Sequence, residues 1–107
     1  MHDDKGFILQ QVELDTAPML KCESCGDIIR DFGMAWVMWE NHKLKNGESV
    51  KPTVLCKTNG CNSKPPYVGF ASMEMRDYLI DLFRNLGVRT KKQLLEALEF
   101  SEMMHSI

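Results

Sequence analysis

Apolar and polar positions change their rhythm about two thirds of the way along the chain. FILQQVEL (7–14) is rich in β-formers with partial alternation and predicts a strand. DTAP (15–18) carries a turn signal, since Pro18 fixes φ and Asp15 can bond its local backbone. GMAWVMWEN (33–41) predicts a strand with large residues on both faces: Met34, Trp36 and Met38 on one, Ala35, Val37 and Trp39 on the other. KPTVLC (51–56) is its return strand, and Asn46-Gly47 between them marks a hairpin.

From residue 72 the period is helical. SMEMRDYLIDLFRNLG (72–87) offers Ser72 as an N-cap, a stripe of Met75, Leu79, Leu82, Phe83 and Leu86, and a stop at Gly87. TKKQLLEALEFSEMMHS (90–106) opens with Thr90 and has Gln93 three residues on, a capping box. Leu94, Ala97, Leu98, Ser101 and Met104 follow one face. Only Val88 and Arg89 separate the two segments, so an antiparallel or sharply angled helical hairpin is expected. The fold class is α+β: a small antiparallel β region over 7–70, then a C-terminal two-helix hairpin over 72–107, together one domain over 1–107.

Composition changes this picture little. A chain of 107 residues that is 44% hydrophobic and 26% charged is of ordinary globular make-up. The acidic N-terminus MHDDKGFILQQ lacks the basic start and long apolar run of a signal peptide, so a reducing cytoplasm is the expected compartment. The net charge of -2 supplies no global positive field for nucleic acid. Charge is uneven, however. Residues 40–70 hold five lysines against two glutamates and form one locally basic stretch, most simply a solvated loop.

Candidate chemistry lies in four cysteines. Cys22-x2-Cys25-Gly puts two thiols on a tight turn, with Gly26 permitting its backbone angles. Cys56-x4-Cys61 encloses KTNG, a second turn that can fold the wider spacing back onto one ion. Two close pairs in a disulfide-poor setting predict one structural Zn2+ per chain, held by Cys22, Cys25, Cys56 and Cys61. The competing readings are two disulfides, a redox-active Cys22–Cys25 pair, and an iron-type or mixed site in which His42 replaces a cysteine. A redox pair wants a helix N-terminus, whereas Glu23, Asp27 and Asp31 place acids nearby. His2 and His105, near the chain ends, carry no weight.

CxxCG, a β-hairpin and a second cysteine pair together resemble the zinc-ribbon class over about residues 19–62. The resemblance is one of fold, and it implies a metal that shapes the hairpin rather than one that reacts. A shell of four thiolates leaves no open position for water or substrate, so metal catalysis is not expected. Neither a Gly-rich phosphate loop nor GxSxG occurs, and no His/carboxylate set has catalytic spacing, so the chain is expected not to be an enzyme. FRNLGVRTKKQLLEALE (83–99) resembles a helix-turn-helix only superficially, because its second helix carries leucines and glutamates where base contacts want Arg, Lys, Asn or Gln.

Trp36, Trp39, Tyr67 and Phe70 either cover a sheet face or meet a partner. A hairpin with bulky residues on both faces is expected to need a helix over one and a partner or second subunit over the other. Eight methionines add adaptable apolar surface. The leading expectation is therefore a non-enzymatic zinc protein of regulator, adaptor or inhibitor type, acting through another protein or through self-association, with no membrane partner and no small-molecule substrate. Its candidate partner-binding residues are Trp36, Trp39, Lys43, Lys45 and Lys51. The alternatives are a nucleic-acid module using Lys43, Lys45, Lys51, Lys57 and Lys64 with a stacking tryptophan, and a thiol-redox protein.

Overall fold

A computed structural model describes residues 4–40 and 43–105, with side-chain surroundings as far as residue 100. His2 and His42, and the side chains of Ser101, Met104 and His105, lie outside the described residues. The chain forms two compact units, Met1–Arg76 and Asp77–Ile107. The first is β-rich and the second helical, in keeping with the α+β expectation.

The first unit holds two three-stranded antiparallel sheets. In one, β1 (Gly6–Val12), β2 (Asp15–Lys21) and β3 (Ile28–Ile29) lie in the order β1-β2-β3. In the other, β4 (Ala35–Trp39) lies between β5 (Thr53–Cys56) and β6 (Ala71–Glu74). The expected strand at 7–14 is β1, and the expected hairpin is β4–β5, with Ala35 opposite Cys56 and Met38 opposite Thr53. Asn46-Gly47 turns near the tip of their connection, where the Glu48 amide donates to the Lys45 carbonyl at 2.9 Å.

Two expectations need correction. DTAP is not a turn: the chain reverses at Glu13-Leu14 and Asp15–Lys21 is strand. Pro18 is tolerated there for a physical reason. Antiparallel pairs alternate between hydrogen-bonded and non-hydrogen-bonded. Counting back from the turn-closing Val12–Asp15 pair puts Leu9–Pro18 at a non-hydrogen-bonded position. On its other side β2 meets β3 only through Leu20 and Lys21, so the missing Pro18 N–H breaks no ladder bond.

Ser72 is not an N-cap either. Ala71–Glu74 pairs with β4, setting Ser72 opposite Met38 and Met73 opposite Val37, and the helix α1 (Met75–Asn85) starts after it. Strand pairing overrides the local capping signal, because the open edge of β4 offers backbone partners to the whole segment.

The core sits on both faces of β4. Ala35, Val37, Met38, Val54, Leu55 and Met75 are all buried. Tyr67 and Phe70 meet edge to face, with centroids 5.6 Å apart, and pack with Trp36 and Ile29 against the cluster of Met38, Leu55, Cys22, Cys56 and Cys61. The chain's own residues thus cover β4 on both sides, and no outside partner is needed for that.

In the second unit α1 ends where expected. Gly87 has φ +91°, the Val88 amide donates to the Phe83 carbonyl at 2.8 Å and the Gly87 amide to that of Arg84 at 3.1 Å, a Schellman stop. Thr90 caps α2 (Lys91–His105): its Oγ1 accepts from the Gln93 amide at 3.1 Å, and Gln93 Oε1 accepts from the Thr90 amide at 3.0 Å. Among the described residues no helix is long and apolar enough to cross a membrane.

Candidate metal centre

The four cysteines converge. Cys22 and Cys25 lie in the loop joining β2 to β3, closed by the Cys22 amide donating to Asp27 (2.9 Å) and the Gly26 amide donating to Cys22 (3.0 Å). Gly26 takes φ +81°, where a Cβ would be strained. The first pair is therefore on the β2–β3 loop rather than at an outer end of the β4–β5 hairpin. Cys56 ends β5, and the turn Lys57–Gly60, closed at 3.0 Å, returns the chain to Cys61.

All four sulfurs lie within 4.8 Å of one another. Cys25 Sγ is 3.6 Å from Cys56 Sγ, which is 3.7 Å from Cys61 Sγ. A tetrahedron of thiolates at 2.3 Å from one ion has edges of about 3.8 Å, whereas a disulfide needs about 2.05 Å. The thiols are unbonded to one another, and their spacing fits a shared ion. A redox pair would couple two sulfurs and leave two aside; here all four share one place. Cys22, Cys56 and Cys61 are buried and Cys25 is exposed.

Backbone and side-chain donors surround the sulfurs. The Cys56 amide donates to Cys22 Sγ at 3.3 Å. Asn59 Nδ2 donates to Cys25 Sγ at 3.3 Å and to Asp27 Oδ2 at 2.9 Å, tying the two cysteine turns together. Burial opposes ionisation of Cys22, yet the amides of Cys25, Cys56 and Ser24 hold its pKa down at about 7. Burial pushes Cys56 up to about 12 and raises Cys61 as well, with neighbouring thiols adding to the rise at Cys56. One thiol is thus poised to ionise while two resist it, and a cation at the centre would reverse that resistance.

The sheets are joined beside this centre by Glu23. Its amide donates to the Val54 carbonyl at 2.8 Å, and its carboxylate accepts from the Val54 amide. The sequence marks Glu23 only as an acid near a thiol; its use as a pseudo-strand on the β5 edge depends on which strand lies opposite. Asn59 is legible as a turn residue, and its bond to Cys25 has no local signal. Asp31 instead caps a short turn, accepting from the Gly33 amide at 2.8 Å.

The candidate partner residues do not converge. Trp36 and Trp39, three apart on one strand, point to opposite faces. Both are half-buried. Lys57 Nζ stands 4.4 Å from the Trp36 ring centroid and forms an ion pair with Glu74, so this lysine is engaged within the fold. Lys43, Lys45 and Lys51 are exposed in the connection between β4 and β5. Compared with protein-family models, curated proteins and solved structures, the chain matches none.

Proposed function

We propose that this chain is a small zinc protein whose ion is structural, and that it works without catalysis, by contact with another protein. The observation that carries the metal reading is the approach of four sulfurs at spacings close to the edge of a zinc tetrahedron. Zinc is favoured over other ions because four thiolates in a compact shell suit a soft or borderline cation with no demand for an open position. Ligands held by two β-turns, with three of the four buried, also suit a shaping role rather than a reactive one.

A role without metal catalysis is supported by chemistry: a closed shell of four thiolates would leave the ion no position to bind substrate or ionise water. The contact reading rests on exposed apolar residues such as Leu9, Leu14 and Leu86, which lie outside the core. A regulator, adaptor or inhibitor fits this combination. The nucleic-acid alternative retains Lys43, Lys45, Lys51 and Lys64 but loses Lys57 to Glu74. The test is capture by tagged, zinc-loaded chain, run beside nucleic-acid retention at low salt. A specific protein partner or self-association supports the proposal. Salt-sensitive nucleic-acid retention with no protein bound overturns it.

A further inference from the structure

The sulfur cluster meets solvent at one corner. Cys22 and Cys61 are 0% exposed and Cys56 3%, whereas Cys25 is exposed on the β2–β3 loop. Beside it, nothing lies within 4 Å of where a Cβ on Gly26 would stand, so approach from that side is open. A zinc-bound thiolate gives one lone pair to the ion, and Cys25 gives a second to Asn59 Nδ2 at 3.3 Å, which leaves a third free. Behind Cys25, on the other cysteine turn, the sealed Cys56 sulfur lies 3.6 Å away. Cys22, on the same turn as Cys25, has its sulfur held by the Cys56 amide at 3.3 Å.

We propose that Cys25 is an oxidation site at which hydrogen peroxide opens the metal centre, with Cys56 as the resolving thiol. The Cys25 thiolate attacks one peroxide oxygen: an S–O bond forms, the O–O bond breaks and hydroxide leaves, giving a sulfenic acid. The Cys56 thiolate then attacks that sulfur, forming an S–S bond and expelling a second hydroxide. Together the two sulfurs lose two electrons, and the two peroxide oxygens gain them. Exposure decides where the first step falls, since burial closes the other three sulfurs to the oxidant. Proximity decides the second, because closing 3.6 Å to the ~2.05 Å of a disulfide takes only about 1.5 Å of movement. This link joins the two turns and so differs from a redox pair within Cys22-x2-Cys25. Only Cys22 and Cys61 remain as thiolates, too few for a tetrahedral shell, and the ion is lost. Oxidation thereby removes what shapes the β-rich unit and switches off any contact that needs that shape.

The inference rests on the zinc reading proposed above and adds regulation to it. The experiment treats the zinc-loaded full chain with equimolar hydrogen peroxide beside a chromophoric zinc indicator, then maps the thiols by mass spectrometry. Release of about one zinc per peroxide consumed is expected, with Cys25 joined to Cys56. With dimedone present, the trapped sulfenic acid should lie on Cys25. A thiol reductant with added zinc should reload the centre. Cys25→His keeps a zinc-competent set of three thiolates and an imidazole, and should slow release roughly tenfold or more. If that variant binds no zinc, the trapping and mapping on the unaltered chain decide alone. A protein that carries no zinc overturns both this inference and the metal reading. A zinc-bound chain that keeps its ion under peroxide, is trapped first at another thiol, or joins other cysteines overturns this inference and leaves the metal reading standing.

Discussion

Cys25 is the exposed member of a thiol set whose other three members are buried, and its sulfur has a side-chain donor in Asn59. In a metal-bound centre that donor would orient Cys25 as a ligand. Asn59→Ala should leave the four thiols in place but weaken zinc binding by roughly tenfold, the lower end for an outer partner of a metal ligand. Competition with a chromophoric chelator measures this. An unchanged affinity would mean that the Asn59–Asp27 link serves only to close the turn. The thiols themselves were legible from spacing alone, because metal ligands recur as close pairs on turns. Asn59, Glu23 and Lys57 were not. Each acts across a gap of 17 to 34 residues, and nothing in a local window reports what lies across such a gap.

Among the elements, β1, the β4–β5 hairpin, the Gly87 stop and the Thr90 capping box follow from alternation and capping chemistry. The misread segments share a cause. Pro18 and Ser72 carry strong local signals for a turn and a cap, yet both lie in strands because a neighbouring strand supplies backbone partners. Sheet membership is decided by what lies alongside, and a sequence window sees only what comes next. Glu23 is where two such elements meet, its backbone and side chain both bonded to Val54. Glu23→Ala should leave the partly buried Val54 amide unmatched and destabilise the first unit by about 1–2 kcal/mol. Denaturant unfolding of the zinc-loaded chain, followed by tryptophan fluorescence, reads this out, since both tryptophans lie in that unit. A midpoint equal to that of the unaltered protein would show that water replaces the carboxylate without cost.

For the molecule as a whole, the β-rich unit gathers its core around the sulfur cluster, so metal and fold are expected to be linked. The linkage has a definite sign with pH. Burial raises Cys56 to about 12 from 9.0 and raises Cys61, so without metal both thiols are protonated at neutral pH. The raised Cys56 pKa stabilises the metal-free fold below pH 9 and is lost as pH climbs through about 12. Around neutrality it therefore adds no slope of its own. The slope comes from competition, because zinc must displace protons from Cys56 and Cys61. Zinc affinity should rise with pH between about 6 and 8, with proton release on binding measurable by calorimetry in buffers of different ionisation enthalpy. A pH-independent affinity would contradict thiolate ligation at these two positions.

One ion on Cys22, Cys25, Cys56 and Cys61 is expected to shape residues 4–76. The most direct test is elemental analysis of the native protein, followed by circular dichroism and tryptophan fluorescence before and after chelation. One zinc per chain is predicted, with chelation unfolding the β-rich unit and zinc alone restoring it. A protein purified without metal, whose β signal and tryptophan environment ignore both chelator and added zinc, would show that the four thiols pack without an ion.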